Sequence, residues 1–221
     1  MIIAIDGPSG SGKSTLGRRL ARALNLLYLD TGSMYRAVAL AVIEADVDPS
    51  NTEAVTALAN RIEIDLAGDP DSLCVLLDGR DVTEEIRTEG VTEMSSIVSS
   101  IPGVRRAMVE RQRAMGQRGA VLNGRDIGTV VFPDADVKFF LTAVAEERAE
   151  RRYKEDQMTS SSSATLAETL ADMIDRDRRD STRADSPLKI ADDAIVIDST
   201  GKSIEEVFDE MMKRISHGLH G

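Results

Sequence analysis

The chain has 221 residues, 42% hydrophobic and 29% charged, with a formal net charge of −11. That length suits one domain, or one domain carrying a sub-domain insertion, and the composition excludes collagen-like, wholly disordered and disulfide-scaffold classes. The single cysteine, Cys74, allows no internal disulfide, no apolar run approaches a ~18-residue membrane span, and Met1–Asp6 lacks the basic start of a signal peptide, so a cytoplasmic protein with no membrane partner is expected.

Ile2-Ile3-Ala4-Ile5 is a short apolar run suited to a buried parallel strand. A Gly/Ser-rich turn follows, then helical apolar spacing from Leu16 to Leu24. Leu26 to Leu29 predicts a second strand ending at Asp30, and Met34 to Glu44 and Asn51 to Arg61 predict helices. From Ile62 to Asp78 the apolar residues alternate around Gly68-Asp69-Pro70-Asp71, which predicts a β-hairpin. A hairpin is out of place in an alternating α/β chain, so an inserted sub-domain is expected over about 45–100. Val104 to Arg118 is a helix stopped by Gly119, and strands follow at Ala120–Asn123 and Val137–Leu141. Ala145 to Glu155 and Leu166 to Arg179 are charged helices joined across Ser160-Ser161-Ser162-Ser163, a low-complexity run expected to be a mobile loop. Ala194 to Ile197 is the last strand, and Ile204, Val207, Phe208, Met211, Met212 and Ile215 mark one face of a final helix. Five core strands separated by helices predict an α/β fold, a doubly wound parallel five-stranded sheet.

The negative charge argues against a nucleic acid polymer as partner, because such binding needs a broad basic face. The cations are nevertheless concentrated. Arginines number 21 against six lysines, and 13 of the arginines lie between Arg105 and Arg183. The planar guanidinium fork matches phosphate oxygens, which points to a small phosphate ester.

Gly7-Pro8-Ser9-Gly10-Ser11-Gly12-Lys13-Ser14 fits the phosphate-loop pattern, and it stands between a strand and a helix. Its glycines let backbone N–H groups turn around phosphate oxygens at the positive end of the helix. Lys13 is placed to reach the β- and γ-phosphates of a nucleoside triphosphate and the Ser14 hydroxyl to ligate Mg²⁺, with Thr15 completing the nucleotide-binding run and Asp30 expected to reach the metal through water. The loop gives a nucleoside triphosphate site but no reaction. A GTPase would carry an Asn-Lys-x-Asp sequence, and no Asn-Lys pair occurs. A second phosphate-ester site fits the downstream arginines better than a switch or a motor.

Three strand ends are expected along one edge of the sheet: the phosphate loop, Asp30-Thr31-Gly32-Ser33-Met34-Tyr35-Arg36, and Gly124-Arg125-Asp126. Arg36 and Arg125 would then face the cleft; the alternatives are a helix cap at Asp30-Thr31 and a local ion pair at Arg125-Asp126. Arg148 and Arg152 share a helix face, and Arg176, Arg178, Arg179 and Arg183 follow beyond the serine run. Two arginine-bearing helices over about 148–183 describe an Arg-rich helical lid, which excludes water and neutralises charge during phosphoryl transfer.

Gly7 to Lys13, Leu29 to Arg36, Asp81 to Thr88, Asn123 to Pro133 and Arg176 to Leu188 together resemble the bacterial cytidylate kinase family, and the resemblance runs essentially end to end. It implies a single P-loop kinase domain over 1–221 that phosphorylates CMP and dCMP from ATP with Mg²⁺ and acts as a monomer, with the insert helping to enclose the nucleoside monophosphate. It implies that Arg36, Arg125 and Arg183 hold the CMP phosphate, that Ser96, Arg105 and Asp126 read cytosine, and that Arg176 and Asp180 hold the sugar. Thr31 and Tyr35 join the substrate-binding set. Lys13, Arg125, Arg183, Arg148 and Arg152 are the cations implied for catalysis. Asn123 departs from the family, which often has Asp there. Another small-acceptor kinase, such as a shikimate-type enzyme, and a nucleotide-dependent switch are the alternative readings.

Overall fold

The computed structural model describes residues 1–158 and 164–218, without the side chains of residues 217 and 218. The central sheet has five parallel strands: β1 (Ile2–Asp6), β2 (Leu27–Asp30), β6 (Ala120–Gly124), β7 (Val137–Thr142) and β8 (Ile195–Asp198). Their order is β2-β6-β1-β7-β8, so the strand that leads into the phosphate loop is central. Side chains alternate along β1. Ile3 and Ile5 enter an apolar cluster with Leu16 and Leu20 of α1 (Lys13–Leu24) and Val207, Met211 and Ile215 of α8 (Ile204–Gly218). Ala4 packs on the opposite face with Leu122, Ile127 and Val109 of α5 (Pro102–Gly116). Helices therefore cover both faces, which is why most strand residues are apolar and the polar ones gather at the carboxyl ends, Lys138 aside.

A second apolar cluster lies beside the sheet. It joins α2 (Thr31–Glu44) and α5 to α3 (Thr52–Arg61), a small antiparallel sheet of β3 (Ile64–Ala67), β4 (Cys74–Leu77) and β5 (Arg80–Asp81), and α4 (Glu89–Val98). The hairpin appears where the alternation predicts it. Strand β5 is two residues long and carries no readable pattern. Helix α4 also escapes sequence reading, because Ser95 takes a buried position between Val91 and Val98 and hides the period. Helix α2 begins at Thr31, three residues before its apolar run, because the Asp30 side chain caps it by accepting from Gly32 N at 3.1 Å.

Helices α6 (Ala145–Met158) and α7 (Leu166–Thr182) pack on each other, and α7 opens on a capping box between Thr165 and Glu168. The serine run that separates them lies outside the described residues. No helix among the described residues is long and apolar enough to cross a membrane.

Candidate active site

Strand β1 delivers the phosphate loop to a cleft of about 1450 Å³ at the carboxyl edge of the sheet. Ser9, Gly10, Gly12, Lys13, Ser14 and Thr15 line it. Gly12 caps α1 at φ +92°, a left-handed conformation that an L side chain resists. Gly10, at φ +72°, lies so close to the α6 backbone that a Cβ would stand 2.6 Å from Arg148 O. These two glycines curl the loop and seat it against α6. Lys13 folds back on the loop, its Nζ donating to Pro8 O at 2.5 Å and to Ser11 Oγ at 3.4 Å. Burial drives the Lys13 ammonium far below its ordinary pKa, and Arg125 and Arg176 push it further.

Those two arginines belong to a concentration of positive charge. Arg36 from α2, Arg125 after β6, Arg152 from α6 and Arg176 from α7 line the same cleft as Lys13. The Arg176 guanidinium is lowered to about 10, first by burial and then by Arg125, with Arg36 and Arg152 adding to it. Cations that burial and mutual repulsion disfavour together make a receptor for polyanions. Asp180 is the local counter-charge: Oδ2 accepts from Arg125 Nε at 2.8 Å and Oδ1 from Arg183 Nη1 at 3.2 Å. Burial opposes its ionisation, but Arg125 and Arg176 hold its carboxyl below the usual range.

In the same cleft Arg105 Nη2 donates to Asp126 Oδ2 at 2.6 Å, with both side chains buried. Arg183 Nη2 stands 3.9 Å from the other oxygen of Asp126. The Tyr35 ring packs under the Arg105 guanidinium at 5.2 Å, and burial lifts the phenol to about 12, so the ring stays neutral. Arg105 Nε and Arg183 Nη2 are buried without a hydrogen-bond partner. The cleft thus has a cationic waist and a polar, directional end.

Residues 3–217 match the family model for cytidylate kinase. A protein from Geobacter sp. (strain M21) named cytidylate kinase is 49% identical over 220 residues, covering 99% of this chain and 94% of that protein. One of the same name from Desulforamulus reducens is 50% identical over 218 residues, covering 98% and 97%. The chain belongs to the cytidylate kinase family. A crystal structure of an uncharacterized protein from Eubacterium ventriosum ATCC 27560 superposes with a TM-score of 0.52 at 13% identity, covering 98% of each chain, a likeness of fold alone.

Within this family member the expected site residues fall into three groups. Lys13, Ser14, Thr15, Thr31, Tyr35, Arg36, Arg105, Arg125, Asp126, Arg152, Arg176, Asp180 and Arg183 all line the one cleft. Gly7, Pro8 and Ser11 build the loop from beneath, with Ser11 fully buried and donating to Pro8 O at 3.0 Å. Arg148 differs from its expected role as a cleft cation. Its guanidinium is buried behind the loop and donates to Ala143 O, to Ser9 O at 2.9 Å and to Asp177 at 2.7 Å. It braces the phosphate loop instead of facing the transferred group, because Gly10 lies directly against its backbone. Ser96 is also displaced from expectation. Ser95 on α4 and Ser99, which caps that helix one turn later, line the cleft, whereas Ser96 is a half-buried neighbour whose carbonyl accepts from Ser99 Oγ. That i, i+4 relation is visible only once α4 is known. Of the two alternatives weighed from sequence, the helix cap is real, since Asp30 caps α2, whereas the local ion pair is not: Arg125 pairs with Asp180, and Asp126 with Arg105; both Asp30 and Arg125 still line the cleft.

The residues around Ser14 suit a hard divalent cation held partly through water. Asn123, at the end of β6, donates from Nδ2 to Ser14 Oγ at 3.1 Å and approaches Asp30 Oδ1 at 3.5 Å. Its own Oδ1 is buried without a partner. Ser14 and Asp30 offer oxygen ligands, and among the described residues no cluster of three His, Cys, Asp or Glu side chains forms a separate metal cage.

Proposed function

We propose that this chain transfers the γ-phosphoryl group of ATP to CMP and dCMP, giving CDP and dCDP, as a monomer in the cytoplasm. The observation that carries this reading is the cationic waist formed by Lys13, Arg36, Arg125, Arg152 and Arg176 between the phosphate loop and the Arg105–Asp126 pair. Family membership supplies the acceptor. Light scattering on the purified protein checks the monomer.

In this reading ATP lies with its β- and γ-phosphates in the loop, against the amides that open α1. The monophosphate lies across the cleft, its phosphate between Arg36, Arg125 and Arg183. The segment over about 45–100 encloses it, and the lid over about 148–183 closes the other side. A phosphate oxygen of CMP forms a bond to the γ-phosphorus while the bond to the bridging oxygen of ADP breaks. The acceptor oxygen is already anionic, so no general base is required. The chain's contribution is alignment and charge neutralisation. Lys13 leaves its resting partners Pro8 O and Ser11 Oγ for the β- and γ-phosphates, and Arg125 and Arg152 neutralise charge that spreads over the transferring group. Ser14 would hold Mg²⁺ directly and Asp30 and Asn123 through water, and the ion would supply further charge neutralisation to the phosphates.

Base recognition is assigned to Asp126, Arg105 and the cleft-facing serines of α4. Cytosine offers an amino donor where uracil offers an acceptor, so a carboxylate there favours cytosine. Arg176 and Asp180 are assigned to the sugar. A coupled ADP-release assay across CMP, dCMP, UMP, AMP, dTMP and shikimate tests the whole reading. Turnover that depends on CMP and dCMP is expected. Nucleotide hydrolysis without an acceptor, or a different best acceptor, overturns it.

A further inference from the structure

Asp6 closes β1 one residue before the phosphate loop, yet the chemistry above makes no use of it. Its carboxylate is 4% exposed and reaches sideways across the sheet edge. Oδ1 accepts from Ile127 N at 2.9 Å, and Oδ2 accepts from Gly128 N at 2.8 Å. Those two amides follow directly on Arg125 and Asp126. The backbone ladder between β1 and β6 ends at Asp6 opposite Gly124. Beyond that point no strand pairing holds the turn, and the side chain of Asp6 takes over. The turn then continues into the short helix Ile127–Val131, whose Val130 and Val131 amides donate to Asp126 O.

The charges around Asp6 make this an unusual means of satisfying two amides. Asp126 repels the carboxylate and Lys13 attracts it, while burial disfavours its charged form. A buried carboxylate beside a second one carries a desolvation cost that a neutral acceptor avoids. What ionisation adds is two short charge-assisted bonds, which fix direction as well as distance. Strand β1 also carries the phosphate loop, so the same residue lies at the root of the donor site and grips the acceptor site.

The geometry points to Asp6 as a positioning residue that ties the Arg125-Asp126 turn to the base of the phosphate loop and so sets the distance between donor and acceptor phosphates. Asp6 touches neither substrate. The inference rests on the kinase reading above. Misplacement of reacting groups by about 1 Å costs roughly a hundredfold in rate, so loss of this tie acts on the acceptor and on turnover while sparing ATP.

Asp6→Asn keeps the shape and one acceptor but turns an NH₂ group against a backbone N–H. Expected are a KM for CMP raised about tenfold, a kcat lowered about tenfold, and a dissociation constant for a non-hydrolysable ATP analogue, measured without CMP, within twofold of the unsubstituted protein. Unchanged CMP kinetics, or equal weakening toward ATP and CMP, overturns the inference. A second measurement needs no substitution. In the native protein the ATP analogue alone should slow amide exchange at Arg125 to Gly128 at least threefold, and no change there also overturns it. Absence of CMP turnover in the native protein would instead remove the kinase reading itself.

Discussion

Arg105 and Asp126 form an ion pair at 2.6 Å with their side chains 2% and 6% exposed, and both line the cleft. A buried pair contributes little net stability but is costly to break from one side. Here the pair fixes the direction of the Asp126 carboxylate, which the proposed function assigns to a nucleobase edge. Asp126→Asn keeps the volume and replaces one acceptor by a donor. The ratio of kcat/KM for CMP to that for UMP should narrow at least tenfold, since an opposed buried polar group costs about 1–3 kcal/mol. Equal losses for both substrates would show that Asp126 positions the phosphate end and does not read the base.

Lys13→Ala should lower kcat by about 10²–10³, the size expected for one lost electrostatic contact in a closed site. Its stability should not fall. The ammonium is buried among cations and strongly disfavoured, so its removal relieves folding while harming function. Calorimetry and circular dichroism check the fold. Near-native turnover refutes the assignment of the loop.

Asn123→Asp brings a carboxylate to Asp30, whose Oδ1 is 3.5 Å from the present amide nitrogen. Without metal the like charges should lower the melting temperature, and Mg²⁺ should restore it. Manganese binding followed by electron paramagnetic resonance, in the absence of nucleotide, should tighten relative to the native protein. Unaltered manganese binding would remove Asn123 from the metal's surroundings.

The Arg148–Asp177 bond at 2.7 Å joins α6 to α7 behind the phosphate loop. Arg125 and Arg183 join the end of α7 to the cleft through Asp180. Substrates that draw Arg152 and Arg176 inward should therefore tighten both helices. Amide exchange over 148–158 and 164–183 should slow when ATP and CMP analogues bind together. Equal protection in the free protein would refute substrate-dependent closure.

Burial raises the Asp6 carboxyl to about 6, with Asp126 adding to the rise, and the Ile127 and Gly128 amides and Lys13 opposing it. A raised acid favours the folded protein most when protonated. Its contribution is fully present below about pH 4 and is lost as pH rises through about 6. The rise corresponds to at most about 3 kcal/mol at 1.36 kcal/mol per unit. Urea melts of the native protein and of Asp6→Asn should show the difference between them shifting against the native protein as pH rises from about 4.5 to 7.5. A difference that stays flat would show that Asp6 does not titrate with folding.

The five strands, the phosphate loop and most cleft arginines were legible in the sequence because each rests on local chemistry. Apolar runs between helical periods have few other uses, and Gly10, Gly12 and Lys13 carry their meaning within one turn of chain. What stayed hidden depends on contacts between distant residues. Arg148 and Arg152 lie on one helical face by spacing, but only the approach of Gly10 to the α6 backbone turns Arg148 to the back of the loop and leaves Arg152 in the cleft. Ser95 and Ser99 could not be preferred over Ser96 until α4 existed, because a helix with serine at a buried position has no apolar period to reveal it. Asp6 appears in sequence only as the polar end of a strand. Its hold on Ile127 and Gly128 spans 121 residues and 122 residues of chain, and only strand order brings them together.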